Sequence, residues 1–297
     1  MAETRVSGLL AAQTVGDLVS EVGAVLSRAS IDDSVQEARD LVSALLDVPR
    51  HWPILRANKW VDAVVWQRAM AAARTRASGA PLAYAVGRAN FRQLTLDVDE
   101  RVLIPRPETE LLVDLVLARV SRGIAIDVGT GSGAIAIALA TEGEFDRVIA
   151  TDISVDALEL ARENATRLGA GNTEFRAGDL LRASGVGSQA SGASVIVSNP
   201  PYIAYDELSE LPSSVRNWEP SVALTAGGNG LATTFRLVRQ AAAVLAPQGL
   251  LALEVDARHA SLVAERIASD PCYTDVSAHL DLTGRERFVL ATRSPDR

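Results

Sequence analysis

Asn199-Pro200-Pro201-Tyr202 combines residue types that can present a nucleophile. It directly follows the apolar run that ends at Val197-Ser198. Two adjacent prolines cannot continue a helix or a central ladder. They fix a rigid extended turn at the carboxyl end of a strand, where open α/β sheets hold their ligands. The Asn199 side-chain oxygen and the Pro200 carbonyl are then two acceptors on a stiff frame, suited to a planar –NH2 group. The nitrogen of a carboxamide or aryl amine is a poor nucleophile because its lone pair is delocalised. Fixing both of its N–H groups aims it at an electrophile and stabilises the positive charge that develops on it. No side-chain base is needed, since the N–H acidity rises as the new bond forms and the proton leaves late to water. Pro201 stiffens the frame, and Tyr202 walls the planar group by stacking.

A second cluster is Asp127-Val128-Gly129-Thr130-Gly131-Ser132-Gly133-Ala134, between the apolar run Ile124–Val128 and a helical stretch. Glycines here let the backbone turn sharply and approach a ligand closely. Gly129, Gly131 and Ala134 satisfy the dinucleotide fingerprint, so the turn alone leaves open which adenosine cofactor it serves. Asp152 closes the next strand, where a carboxylate accepts from both ribose hydroxyls. The alternative is a cap, Asp152 or Ser154, for the helix over Val155–Ala165, and the glycine turn at the right distance favours the ribose. Asp179 and Leu180 follow the third strand. There Asp179 could accept from an adenine amino group and Leu180 cover the ring, the alternative being a loop Asp and a packing Leu.

The elements that must position these residues follow from periodicity. From Thr14 to about Ser78 apolar residues recur at helical spacing, as Val15, Leu18, Val19, Val22 and Leu26, then Ala38, Leu41, Val42 and Leu45. They predict a small helical bundle, with starts at Thr14 (ahead of Asp17) and at Asp32-Asp33. Trp52, Trp60 and Trp66 are expected in its packing. Phe91, Leu94, Leu96 and Val98 alternate, and with Val102-Leu103-Ile104 they suggest a hairpin joining two domains. Beyond Glu108, strand-like runs at Ile124–Val128, Val148–Thr151, Val195–Val197 and Leu250–Val255 alternate with helical stretches. Weaker runs lie at Thr173–Phe175 and Arg287–Ala291. The pattern predicts an α/β domain whose mainly parallel sheet is covered by helices on both faces. Ala183–Ser194 has no period and is expected to be a flexible loop.

Composition removes several classes. The 297 residues carry a formal charge of −8, which disfavours phosphate-backbone binding. One cysteine, Cys272, and three histidines leave no disulfide framework and no ordinary zinc site, so no metal is expected. No stretch approaches the ~20 apolar residues of a membrane span, and no basic flank precedes an apolar run near Met1. The expectation is a soluble, cytoplasmic chain, monomeric for want of a coiled-coil repeat.

With Asp127–Gly133, Asp152 and Asn199–Tyr202 in hand, the sequence resembles the class I S-adenosylmethionine-dependent methyltransferases. More narrowly it is similar to the HemK/PrmC family, the glutamine-N5 methyltransferases of peptide chain release factors. The likeness takes in Pro81-Leu82-Ala83-Tyr84, Gly87, Phe91 and Leu103-Ile104-Pro105-Arg106-Pro107-Glu108-Thr109-Glu110. It continues through Glu219-Pro220, Ala223-Leu224, Gly227-Gly228-Asn229-Gly230-Leu231 and Asp281-Leu282-Thr283-Gly284-Arg285. The resemblance implies an N-terminal helical domain over residues 1–85 that helps hold the protein substrate, a linking β-hairpin over 86–105, and a Rossmann-like seven-stranded methyltransferase domain over 106–297. Together with the residue reading it gives a cofactor set of Asp127, Gly129, Thr130, Gly131, Ser132, Gly133, Asp152, Asp179, Leu180 and Asn199, for S-adenosylmethionine. Asn199, Pro200 and Tyr202 form the catalytic set, with Pro201 added for the substrate. That substrate is the glutamine of the Gly-Gly-Gln loop of class I release factors. Leu180 stands where some relatives carry an aromatic residue, and Asn229 where an acidic one is common.

Competing functions make different demands. A glutamine methyltransferase of a ribosomal protein shares the Asn-Pro-Pro-Tyr turn, but the Pro-Arg-Pro-Glu-Thr-Glu run favours the release-factor branch. An adenine or cytosine amino methyltransferase would want a basic groove and a target-reading domain, which the charge opposes. A nicotinamide-dependent oxidoreductase would need an acid/base group near the turn, and none is offered. A cofactor-binding adaptor without turnover would tolerate loss of Asn199.

Overall fold

The computed structural model describes residues 13–183 and 192–295, which form two compact units divided between Arg88 and Ala89. The first is helical. Helix α1 (Val15–Arg28) starts at Thr14, whose hydroxyl accepts from the Asp17 N–H while the Asp17 carboxylate accepts from the Thr14 N–H. This reciprocal cap satisfies two donors that a helix start otherwise leaves bare. Helix α2 (Ser34–Leu46) begins differently from expectation. Asp33 is left-handed at φ +48 and caps nothing with its side chain. A short α3 (Trp52–Leu55), α4 (Ala63–Ala77) and α5 (Leu82–Val86) complete the unit. Val15, Leu18, Val22, Leu26, Ala38, Leu41 and Val42 form its core, with Trp52 and Trp66 packed on its margin. Trp60 departs from expectation at 65% exposed, because it sits in the link before α4 and not on a helix face.

Strands β1 (Arg88–Phe91) and β2 (Leu94–Asp97) form the hairpin. Phe91, Leu94, Leu96 and Val98 are buried as their alternation requires. The hairpin is shorter than the sequence suggested. Val102-Leu103-Ile104 makes no strand and runs irregularly into α6 (Pro107–Leu117), whose entry is fixed by Pro107.

The remaining strands build one seven-stranded sheet. In chain order they are β3 (Arg122–Val128), β4 (Glu144–Asp152), β5 (Thr173–Ala177), β6 (Ala193–Ser198), β7 (Leu245–Glu254), β8 (Tyr273–Leu280) and β9 (Glu286–Arg293). Spatially the order is β5-β4-β3-β6-β7-β9-β8, parallel from β5 to β7, with β9 antiparallel to both its neighbours. Consecutive residues of β6, Val195 to Ser198, are all buried, so helices cover both faces there. The helices are α7 (Ala134–Glu142), α8 (Val155–Leu168), two single turns α9 (Ser213–Arg216) and α10 (Ser221–Leu224), then α11 (Ala232–Val244) and α12 (Ala260–Ala268). Strand β8 is absent from the sequence reading because it is an edge strand with one buried residue, Tyr273. Of the expected loop Ala183–Ser194, residues 184–191 lie outside the described residues. Ala193 and Ser194 are instead the start of β6.

Candidate functional site

The chain reverses direction across the sheet at β3. Connections run outward through β4 to β5 and then return to place β6 on the other side of β3. Such a switch point opens a crevice at the carboxyl ends of the strands. The Gly129–Gly133 turn leaves β3 there, Asp152 ends β4, Asn199 follows β6 and Glu254 ends β7.

The glycine turn is held from beneath. Asp127 is fully buried, accepts from the Thr130 hydroxyl at 2.6 Å and from the Ala136 N–H at 3.1 Å, and so caps the first turn of α7 from the preceding strand. Burial pushes its pKa up to about 7 against the pull of those two donors. Gly129, Gly131 and Gly133 all have positive φ. A Cβ on Gly129 or Gly131 would stand in open space, whereas one on Gly133 would meet Ile137 Cδ1 at 2.9 Å and Ala161 Cβ at 3.3 Å. The first two glycines therefore leave a cradle for a ligand, and the third lets α7 pack on α8. Asn164 of α8 ties the turn to the hairpin, donating to the Ser132 and Asp97 carbonyls.

Asp152 accepts from the Gly131 N–H and the Ser154 N–H, both at 2.9 Å. Each carboxylate oxygen keeps a lone pair, so the group can still take ribose hydroxyls. Burial raises its pKa, and the backbone donors oppose the rise. The cap of α8 itself is Ser154. Asp179 is held by the Arg236 guanidinium, and Leu180 adopts φ +55 beside it.

One cavity gathers most of the expected set. Gly129, Gly131, Asp152, Asp179, Leu180, Asn199 and Pro201 line it together. Asp127, Thr130 and Ser132 are buried beneath the turn and brace it. The open cradle and the carboxylate at the next strand end fit the phosphate-free adenosine end of S-adenosylmethionine.

Three residues in contact with the Asn-Pro-Pro-Tyr turn or its partners, Thr109, Glu254 and Arg287, were not singled out by the sequence. Asn199 Nδ2 donates to Thr109 Oγ1 at 3.1 Å, and Thr109 donates to Glu254 Oε2 at 2.6 Å. With Nδ2 engaged, Asn199 Oδ1 is the atom left for a ligand. Glu254 was detectable as a lone acid closing the apolar run from Leu250. Arg287 Nη1 stands 3.5 Å from the Tyr202 hydroxyl, and Arg287 Nε 3.5 Å from buried Asp281. Burial raises the Tyr202 pKa, with nearby Glu254 adding to it, so the phenol stays protonated. The segment after α10 folds over the turn. Ala226 donates to the Ile203 carbonyl, and Gly230 at φ +82 lies so close that a Cβ would overlap the Tyr202 carbonyl.

Comparison with known proteins identifies the family. Residues 120–283 match the family model for a methyltransferase domain and residues 17–87 that for the PrmC N-terminal domain. A release factor glutamine methyltransferase of Deinococcus radiodurans is 37% identical, over 94% of this chain and 98% of its own. The chain belongs to the release factor glutamine methyltransferase family. The enzyme so named in Lactococcus lactis is 44% identical over 70% of this chain and 76% of its own, and that of Cereibacter sphaeroides 37% over 90% and 94%. The fold is shared with a methyltransferase from Pyrococcus furiosus (TM-score 0.50, 21% identical, 68% of this chain and 89% of that one). It is also shared with the hMettl16 catalytic domain (TM-score 0.54, 19% identical, 77% and 80%). Among the described residues no helix is long and apolar enough to cross a membrane, and no cluster of three His, Cys, Asp or Glu is placed to hold a metal.

Proposed function

We propose that this chain transfers a methyl group from S-adenosylmethionine to the side-chain amide nitrogen of the glutamine in the Gly-Gly-Gln loop of class I peptide chain release factors. The observation that carries it is the placement of Asn199 on the same cavity as Gly129, Gly131 and Asp152, with its amide turned so that Oδ1 is the free end. S-adenosylmethionine, when bound, supplies an electrophilic methyl group on a sulfonium.

Asn199 Oδ1 and the Pro200 carbonyl accept the two N–H bonds of the glutamine amide and hold its nitrogen on line with the methyl carbon. Gly129, Gly131 and Asp152 hold the donor while the glutamine nitrogen takes its methyl group, the electrons of the carbon–sulfur bond staying on sulfur. The positive charge that passes to the nitrogen is stabilised by the two acceptors, and its proton leaves to water. Positioning and charge placement supply the catalysis, which is why no side-chain base is required. Tyr202 closes the pocket against the planar amide. Gly129 and Gly131 admit the donor, and Asp152 orients its ribose. Asp179 and Leu180 lie toward the adenine. The helical unit before Arg88 is assigned to holding the release factor, and the enzyme to the cytoplasm as a monomer.

The test is incubation of the purified protein with labelled S-adenosylmethionine and an unmodified class I release factor, followed by mass mapping. One methyl on the Gly-Gly-Gln glutamine, absent with Asn199→Ala, is the expected result. Cofactor binding with no label on the release factor overturns the substrate assignment.

A further inference from the structure

We propose that Thr109 and Glu254 are positioning residues that set which end of the Asn199 amide faces the substrate, and that Glu254 must be ionised for the productive orientation. The inference rests on the glutamine methyltransferase reading and adds two residues and a condition to it.

Thr109 and Glu254 are buried, at 5% and 1% exposure, so water does not intervene freely. A hydroxyl has one proton to give and two lone pairs, and an ionised carboxylate can only accept. With Glu254 ionised, the Thr109 proton is committed to Oε2 at 2.6 Å. Thr109 then offers Asn199 only a lone pair, and the amide must present Nδ2, as it does at 3.1 Å. Oδ1 is thereby aimed at the glutamine N–H. Glu254 protonated on Oε2, the oxygen that Thr109 uses, reverses the chain. It donates to Thr109 Oγ1, the Thr109 proton swings to Asn199, and the amide flips to meet it with Oδ1. The cavity then faces an –NH2 group, and the glutamine amide meets a donor where it needs an acceptor.

The ionisation is poised by its surroundings. Arg287 on β9 and Arg106 at the head of α6 favour the charged form, and the Thr109 hydrogen bond does too. Burial and Glu108 oppose it, and the Tyr202 phenol faces the same space. Burial is the largest of these and carries the pKa up to about 7. An acid left at the end of an apolar strand is otherwise unfavourable, and here it has a specific use.

Two measurements on the full chain decide it. In protein labelled with 15N-asparagine, the Asn199 side-chain NH2 pair, assigned by its loss in Asn199→Ala, is followed between about pH 5 and pH 9. The expected result is one step in wild type, absent in both Glu254→Gln and Thr109→Val and kept in Thr109→Ser. A pair that does not move with pH in wild type overturns the proposal. In methylation assays kcat/KM rises with pH through the same step. Thr109→Val lowers kcat by about 10- to 100-fold with unchanged cofactor affinity, and Thr109→Ser recovers most of it. Equal kcat in wild type and Thr109→Val also overturns the relay. If wild type leaves release factors unmethylated, the functional reading fails while the labelled amide still judges the relay.

Discussion

The Ser198 hydroxyl donates to the Val128 carbonyl across 2.6 Å, joining the last residue of β6 to the last of β3. One strand leads into the glycine turn and the other into Asn199, so this buried bond fixes the spacing between the donor and acceptor halves of the cavity. It lies beyond the final ladder pair, Asp127 with Val197, and extends the register by a side chain.

Ser198→Ala leaves the Val128 carbonyl without its partner in a dry place. The cost is about 1–3 kcal/mol, or a fall in melting temperature of roughly 2–4 °C per kcal/mol for a domain of this size. Calorimetry checks the stability. Single-turnover assays should show the methyl-transfer rate falling more than the cofactor affinity, since each half of the site survives and only their separation loosens.

The glycines separate by role. Gly131→Ala meets no neighbour but must hold φ +54, so it should destabilise the fold by only about 1 kcal/mol while weakening S-adenosylmethionine binding at least tenfold by filling the cradle. Gly133→Ala points into Ile137 and Ala161, and its cost is strain between α7 and α8, roughly 1–3 kcal/mol. Gly230→Ala collides with the Tyr202 backbone and should depress kcat with cofactor binding intact. Paired denaturation and calorimetric titration distinguish the three. Equal effects of Gly131→Ala and Gly133→Ala on cofactor affinity would contradict the assignment.

Much of this arrangement was legible in the sequence, and what was missed has physical reasons. Local chemistry announced the glycine turn and the Asn-Pro-Pro-Tyr turn, because each depends on backbone conformations few residues allow, and Asp152, because a carboxylate closes the strand that follows the glycine turn. The Thr14 cap was readable because a hydroxyl ahead of a helical run, with an acid three residues on, supplies the side-chain acceptor that a helix start needs. Thr109 lies far from Asn199 in the chain, and only the parallel packing of β6 beside β7 brings Glu254 to both. Strand β8 showed no alternation because neither of its faces is buried beyond Tyr273, and Trp60 looked like core because aromatic residues usually are.

Asp127 makes stability depend on pH. Its carboxyl titrates near 3.8 when free and at about 7 in the fold, so between about pH 4 and pH 7 the folded chain holds a proton that the unfolded chain releases. Its contribution is therefore complete in acid, lost as pH rises through that window, and constant above it. Asp127→Asn stays neutral and can still accept from Thr130 and Ala136. Urea denaturation at about pH 5 and pH 8 should find the variant gaining on wild type at the higher pH. Glu254 bends both curves alike, so the difference between them reports Asp127.

Arg106 and Glu219 clamp two walls of the cavity. The Arg106 guanidinium donates to Glu219 Oε1 at 2.7 Å while the Ile104 N–H donates to Oε2 at 3.2 Å. Val102 and Leu103 precede one partner and Pro220 follows the other, and all three line the cavity. Glu219 is buried and Arg106 only partly so, which makes the two single losses unequal. Arg106→Met strands a buried carboxylate and should cost about 2–3 kcal/mol, discounted from the fully buried case because water reaches the guanidinium side. Glu219→Gln keeps an acceptor for Ile104 and should cost less. In a double-mutant cycle the pair should couple by about 1–2 kcal/mol in stability, with S-adenosylmethionine affinity falling in step, because the wall over the ligand moves with the clamp. A coupling near zero would mean that the apolar packing around Leu103 holds these walls without the ion pair.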